Sequence, residues 1–269
     1  MKRYNLGSHA LIENVINQFN TSNNDKALYS ISGLLINQNY QFSAVVEYYE
    51  LETHESLDLD KIKNEINGSA ILATKLDIPM FIVTYKENTD YMEIHNYFNG
   101  NKFSKSIIKP HNDDCEFIKW WNQYKGTVQT KPIYNKDYKK WKINNILDES
   151  ETETSWGGDI DGIVIENNDI CSIIEFRKST KELVEKYDPA KYFNGIGDRK
   201  GDYYTWKPLI TLKDQLSVPL KLVTLSEADT KNYGVTQVES ISRTSLNYLD
   251  DKSPNKNMFN NINDLIINI

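Results

Sequence analysis

Trp156-Gly157-Gly158-Asp159-Ile160-Asp161-Gly162-Ile163-Val164-Ile165-Glu166, followed by Ile170-Cys171-Ser172-Ile173-Ile174-Glu175-Phe176-Arg177-Lys178, decides the reading of this chain. Both runs are rich in Ile and Val and are separated by Asn167-Asn168, so they predict two antiparallel strands joined by a tight turn. Side chains alternate between the faces of a strand, which puts Cys171, Ile173, Glu175 and Arg177 on one side. Asp161 is expected near the turn-proximal end of the hairpin. Opposite side chains of adjacent antiparallel strands lie within about 5 Å. That is close enough for Asp161 and Glu175 to hold one divalent cation. An oxygen-only site of this kind suits Mg²⁺ or Mn²⁺.

Downstream, Gln215-Leu216-Ser217-Val218-Pro219-Leu220-Lys221-Leu222-Val223-Thr224-Leu225-Ser226-Glu227 reads as a buried strand entered through a proline, the position where a strand tolerates one. The same pattern stands earlier without a gap, in Lys75-Leu76-Asp77-Ile78-Pro79-Met80-Phe81-Ile82-Val83-Thr84-Tyr85-Lys86-Glu87. Tyrosine-led strands follow each, at Tyr91 to Tyr97 and Tyr233 to Ile241. Upstream, Ile31-Ser32-Gly33-Leu34-Leu35-Ile36-Asn37 matches Ile160 to Glu166, and Ala44-Val45-Val46-Glu47-Tyr48-Tyr49 matches Ser172 to Arg177. A helix is expected ahead of each copy, from Ser8 to Phe19 and from Asp137 to Leu147. The expected architecture is therefore α/β, with two tandem units whose mixed central sheets are flanked by helices. Residues 1–110 form the first unit, 111–136 a linker with an aromatic helix (Phe117, Trp120, Trp121, Tyr124), and 137–269 the second unit. Phe259, Ile262, Ile266 and Ile269 predict a short C-terminal helix.

Asp161, then Glu175 with Arg177 and Lys178 in the next strand, resembles the PD-(D/E)XK nuclease superfamily, over about Lys139 to Ser242. The resemblance implies a restriction-endonuclease-like α/β/α fold and hydrolysis of DNA phosphodiester bonds with Mg²⁺ or Mn²⁺, in an enzyme of the restriction or phage-defence kind. It implies metal binding by Asp161, Glu175 and the Phe176 carbonyl. Arg177 or Lys178 would stabilise the developing charge. The family's lysine position holds Arg177, which can stabilise a phosphorane but cannot deprotonate water. Lys178 points to the other face unless a bulge rotates it. Asp159 faces as Asp161 does and is either a third carboxylate or a solvated residue at the strand's entrance. Glu149, Glu151 and Glu153 lie where many members place one further acid. The first copy has Ser32 and Tyr49 at the aspartate and arginine positions and keeps only Glu47, so it reads as degenerate. With one working site, a double-strand break needs a second chain, a homodimer. The alternative is a nuclease-like protein that cleaves nothing and binds nucleic acid or a protein partner.

The net charge of −7 argues against a protein that coats nucleic acid by charge alone, though not against one with a basic groove. Two basic regions stand out. One is Lys131, Lys136, Lys139, Lys140 and Lys142 among Tyr134, Tyr138 and Trp141; the other runs from Lys181 to Lys200, with Tyr203, Tyr204 and Trp206 following. Two scattered cysteines and four scattered histidines fit neither a disulfide framework nor a zinc site. No apolar run approaches the roughly 20 residues of a membrane span, and residues 1–7 lack a signal peptide's apolar core, so a cytoplasmic protein is expected.

Overall fold

The computed structural model describes residues 1–3, 10–37, 39–86, 92–98, 102–107, 120, 123–124, 159–194 and 202–269. The chain is mixed α/β, with two mixed sheets flanked by helices. It divides into two compact units: Met1–Leu6 with Ile31–Asp159, and Gly7–Ser30 with Ile160–Ile269. The expected linker at 111–136 lies outside the described residues, apart from Trp120 and Tyr124, whose rings pack on Phe81 at 5.1 and 4.9 Å.

In the first unit, β1 (Lys2–Arg3) and β3 (Gly33–Ile36) pair antiparallel with β4 (Phe42–Glu50). After the short helices α2 (Leu59–Ile62) and α3 (Asn67–Leu76), β5 (Met80–Tyr85) returns parallel to β4. Then β6 (Met92–Phe98) and β7 (Lys102–Ile107) add antiparallel strands, so β6 is an interior strand. In the second unit, β8 (Ile160–Glu166) and β9 (Asp169–Ser179) form the expected hairpin. It closes over Asn167 and Asn168, both at positive φ, a region Asn tolerates better than most residues. Helix α4 (Tyr203–Leu216) leads to β10 (Leu220–Ser226), parallel to β9, and β11 (Tyr233–Ile241) follows antiparallel. Beyond it lie β12 (Leu246–Tyr248) and β13 (Met258–Phe259), so β11 is interior too.

The two crossovers share their details. Val45 N–H donates to Pro79 O and Ile173 N–H to Pro219 O, each at 2.9 Å. The helix before each proline ends in a left-handed residue, Asp77 (φ 54°) and Ser217 (φ 55°), which stops the helix and turns the chain into the sheet. Glu47 stands beside Ile82 on β5, and Glu175 stands beside Leu222 on β10.

Helix α1 (Ala10–Ser22) differs from expectation. It forms at the predicted place, but with β2 (Lys26–Ile31) it belongs to the second unit, not ahead of the first. Ile12, Val15 and Phe19, on one helical stripe, join Leu28, Val164, Ile174, Phe176, Val223 and Leu265 in one core. Asn20 clamps the strand to the helix: its Nδ2 donates to Leu28 O (3.0 Å) and its Oδ1 accepts from Leu28 N–H (2.7 Å). β2 lies beside β8 in the sheet. A Cβ on Gly162 would sit 2.7 Å from Leu28 Cδ1 and 3.1 Å from Ile174 Cβ, so the glycine permits that close packing. α5 (Ile262–Asn268) is the expected C-terminal helix; it buries Leu265 and Ile266 in the same core as α1. Even-numbered β9 residues Ile174 and Phe176 face this core. Arg177 lies on the other face, over Trp206 of α4, whereas Cys171, expected on the face of Glu175 and Arg177, falls at a register shift in the hairpin and packs on this core.

Candidate functional site

Backbone pairing of β8 with β9 runs from Glu166↔Asp169 to Gly162↔Ile174. One residue further, Asp161 falls opposite Glu175, at the open end of the hairpin and not by its turn, where the sequence reading put it. Here the ladder gives way to a side-chain bond: Phe176 N–H donates to Asp161 Oδ2 at 2.7 Å. Glu175 is buried at 7 % exposure, and Arg177 Nε stands 3.1 Å from its Oε1.

Arg177 is the centre of the cluster. Its Nη2 lies 3.5 Å from Asp202 Oδ2, and its guanidinium sits 5.3 Å from the Trp206 ring centroid, a cation–π geometry. Burial disfavours its charge, but Glu175, Asp202 and Asp161 outweigh burial and hold the guanidinium above its ordinary pKa. Nε and Nη2 are buried and make no aligned hydrogen bond among the described residues, despite those ion-pair distances. Lys178 is on the other face, 2.6 Å from Glu227. No bulge turns it toward Glu175, so Arg177 is the cation of this site.

The equivalent position in the first unit is more tightly filled. Glu47 is fully buried, and Arg3 grips it from β1 with Nε and Nη2 each at 2.8 Å. Ser32 Oγ donates to it at 2.6 Å, and Ser69 Oγ of α3 donates to it as well. Arg3 pairs across from Tyr49, the residue at the Arg177 position. The guanidinium is thus supplied by another strand. Tyr49 turns its hydroxyl to Glu65 Oε2 (3.1 Å); burial, followed by the Glu47 charge, pushes its pKa up.

Several sequence candidates do not join the site. Among the described residues no group of three or more His, Cys, Asp or Glu side chains could hold a metal ion. Asp159 therefore does not complete a three-acid cluster with Asp161 and Glu175; it lies just ahead of β8. Glu149, Glu151, Glu153 and the basic stretch from Lys131 to Lys142 lie outside the described residues, as do Arg199 and Lys200. Trp206 is core, at 1 % exposure, and reaches the site only by supporting Arg177.

Sequence reasoning missed Asp202 and Arg3. Neither carries a local signal: Arg3 is 44 residues from Glu47, and Asp202 opens α4, 25 residues beyond Arg177. Only the folded chain brings them in.

No family model matches this chain, and no curated protein matches it. Among solved structures, the C-terminal domain of the sex pheromone staph-cAM373 precursor from Staphylococcus aureus is 8 % identical, with a TM-score of 0.14. That match covers 78 % of this chain, which spans 64 % of the matched one. A structure of the sex pheromone staph-cAM373 precursor is 12 % identical over 89 % of this chain and 92 % of that one, with a TM-score of 0.13. At such scores neither likeness bears on fold or function. No helix among the described residues is long and apolar enough to cross a membrane.

Proposed function

We propose that the second unit is a divalent-metal-dependent endonuclease acting on DNA, of the PD-(D/E)XK kind. What supports this reading is the hairpin register, which continued one residue past Gly162↔Ile174 sets Asp161 against Glu175, with Arg177 beside Glu175. Oxygen donors of this type fit Mg²⁺ or Mn²⁺ in kind, and two carboxylates supply them, with the Phe176 carbonyl as the third donor that the resemblance implies. When bound, such an ion neutralises a phosphodiester and lowers the pKa of the attacking water. Arg177, charged at any working pH, stabilises negative charge on the phosphoryl oxygens. Asp202 and Trp206 hold it in position. The first unit is proposed as a copy that has lost the site, supported by the shared crossover and by Ser32 and Glu47 at the same facing positions.

Plasmid incubated with Mn²⁺ or Mg²⁺ tests the reading. Cleavage that is lost at least a hundredfold in Asp161→Asn and Glu175→Gln supports it. Asn at 161 can still accept from Phe176 N–H, so that variant removes charge and not the fold. Cleavage at the parent rate in both variants refutes it.

A second reading has its own observation. Both carboxylates already have protein partners, Glu175 in Arg177 and Asp161 in Phe176 N–H. A nuclease-like binding or regulatory protein that cleaves nothing would look the same. Binding of nucleic acid or a protein partner without cleavage under any divalent ion selects it.

A further inference from the structure

Asp202 opens α4, the place in a helix where an aspartate ordinarily caps the first turn by accepting from its free N–H groups. Here it does not. The side chain makes no capping bond, although the backbone is engaged on both sides. Its carbonyl accepts from Thr205 N–H and Trp206 N–H, each at 3.0 Å, and its N–H donates to Phe193 O at 2.8 Å. The carboxylate turns instead to Arg177, with Oδ2 3.5 Å from Nη2. A forgone cap costs the helix about 1 kcal/mol, so helix stability does not explain where this side chain stands.

The same guanidinium meets Glu175, whose Oε1 is 3.1 Å from Nε. Glu175 is buried, and Arg177 Nε and Nη2 are buried with it, so Arg177 and any other cation for Glu175 draw on one carboxylate. Charge decides how the two can coexist. Glu175, Asp202 and Asp161 are the carboxylates whose charge acts on the guanidinium. Three negative charges and one positive leave two to balance a divalent cation; without Asp202 only one is left. Trp206, 5.3 Å from the guanidinium, attracts it whichever carboxylate holds it.

We propose that Arg177 competes with a divalent cation for Glu175, and that Asp202 is the positioning residue that keeps the guanidinium at the site when Glu175 takes the ion. An opposite charge within about 4–6 Å changes a carboxylate's hold on a proton by roughly one to three decades, and the same field acts on a metal ion. Arg177 therefore sets how tightly the site holds its ion, besides stabilising charge on the substrate. The inference rests on the metal site of the proposed function.

The test is the affinity of the full-length protein for Mn²⁺ alone, read from the electron-spin resonance of the free ion at fixed pH and ionic strength, without nucleic acid. Glu175→Gln should abolish binding, which places the ion. Arg177→Gln should bind about tenfold more tightly than the parent. Asp202→Asn should bind about threefold more weakly, because the guanidinium then falls wholly to Glu175. Asp202→Glu should restore the parent affinity. With Arg177→Gln already present, Asp202→Asn should have little further effect, since Asp202 acts through Arg177. If Arg177→Gln folds poorly with Glu175 unpaired, Mn²⁺ should raise its denaturation midpoint by more than it raises the parent's.

Arg177→Gln that gains neither affinity nor stability from Mn²⁺ beyond the parent overturns the competition, as does binding that survives Glu175→Gln. An Asp202→Asn effect of equal size with and without Arg177 overturns the part given to Asp202. The nuclease reading outlives a failed competition if Glu175→Gln still loses both Mn²⁺ and cleavage. Competition without plasmid cleavage upholds this inference and removes the nuclease one, and Mn²⁺ binding by neither the parent nor Arg177→Gln removes both.

Discussion

Glu47 and Glu175 occupy corresponding places in their sheets and are neutralised in different ways. Glu47 is shut in by a bidentate arginine from β1 and by two serine hydroxyls. Glu175 is met by Arg177 of its own strand, whose Nε and Nη2 are buried and whose guanidinium also lies near Asp202. A buried carboxylate with every oxygen engaged is a structural element, because moving its partners costs more than any exposed ligand returns. The difference teaches that a buried carboxylate can be met by a cation of its own strand or by one from far away in the chain, as Arg3 of β1 meets Glu47.

The contrast can be broken most forcefully by stability. Arg3→Ala leaves the Glu47 charge buried and unpaired, and should cost about 3–5 kcal/mol. Phe19→Ala, a buried core truncation at 1 % exposure, should cost a similar ~3–5 kcal/mol. Hydrogen exchange separates them. Arg3→Ala should release β4–β6, and Phe19→Ala should release β8–β11, even though both residues precede the first unit's main strands. Loss of protection in β4–β6 with Phe19→Ala would remove α1 from the second unit.

A smaller effect sharpens the same assignment. Gly162→Ala drives a Cβ into Leu28 Cδ1 and Ile174 Cβ, for a loss of about 1–3 kcal/mol. Leu28→Ala in the same chain should recover part of that loss, giving a coupling that a double-mutant cycle measures. Strict additivity would mean that β2 does not pack there.

The smallest effect lies in alkaline pH. Burial, partly offset by Arg177, pushes Tyr187 up to about 12. Unfolded tyrosine ionises near 10, so above that pH the unfolded state releases a proton that the folded state keeps. Stability should be flat in this respect below pH 10 and fall between 10 and about 12. Urea midpoints across that range should decline less in Tyr187→Phe, which retains the ring and removes the ionisation.

Much of the local architecture was legible. The prolines before β5 and β10, the Asn167-Asn168 turn and the alternation of Ile174 to Arg177 in β9 all encode their structure within a few residues. The facing of Asp161 and Glu175 follows from hairpin register, though the turn lies at the other end from Asp161. The split between Arg177 and Lys178 follows from strand parity, and the structure keeps it. Asp159 lies just ahead of β8, because parity assigns a face and says nothing of whether a residue belongs to the strand.

By itself the sequence determined the β8–β9 hairpin, the proline-led strands β5 and β10 with the strands that follow them, and helices α1 and α5, because those features depend on neighbours one to four residues away. Tertiary structure alone decided that α1 and β2 complete the second unit, and that Arg3 and Asp202 compensate Glu47 and Arg177. Amphipathic spacing states that a helix must bury a stripe, but any apolar sheet face satisfies it. Likewise a buried charge requires a partner, and the partner's position in the chain is left free until the strands are assembled.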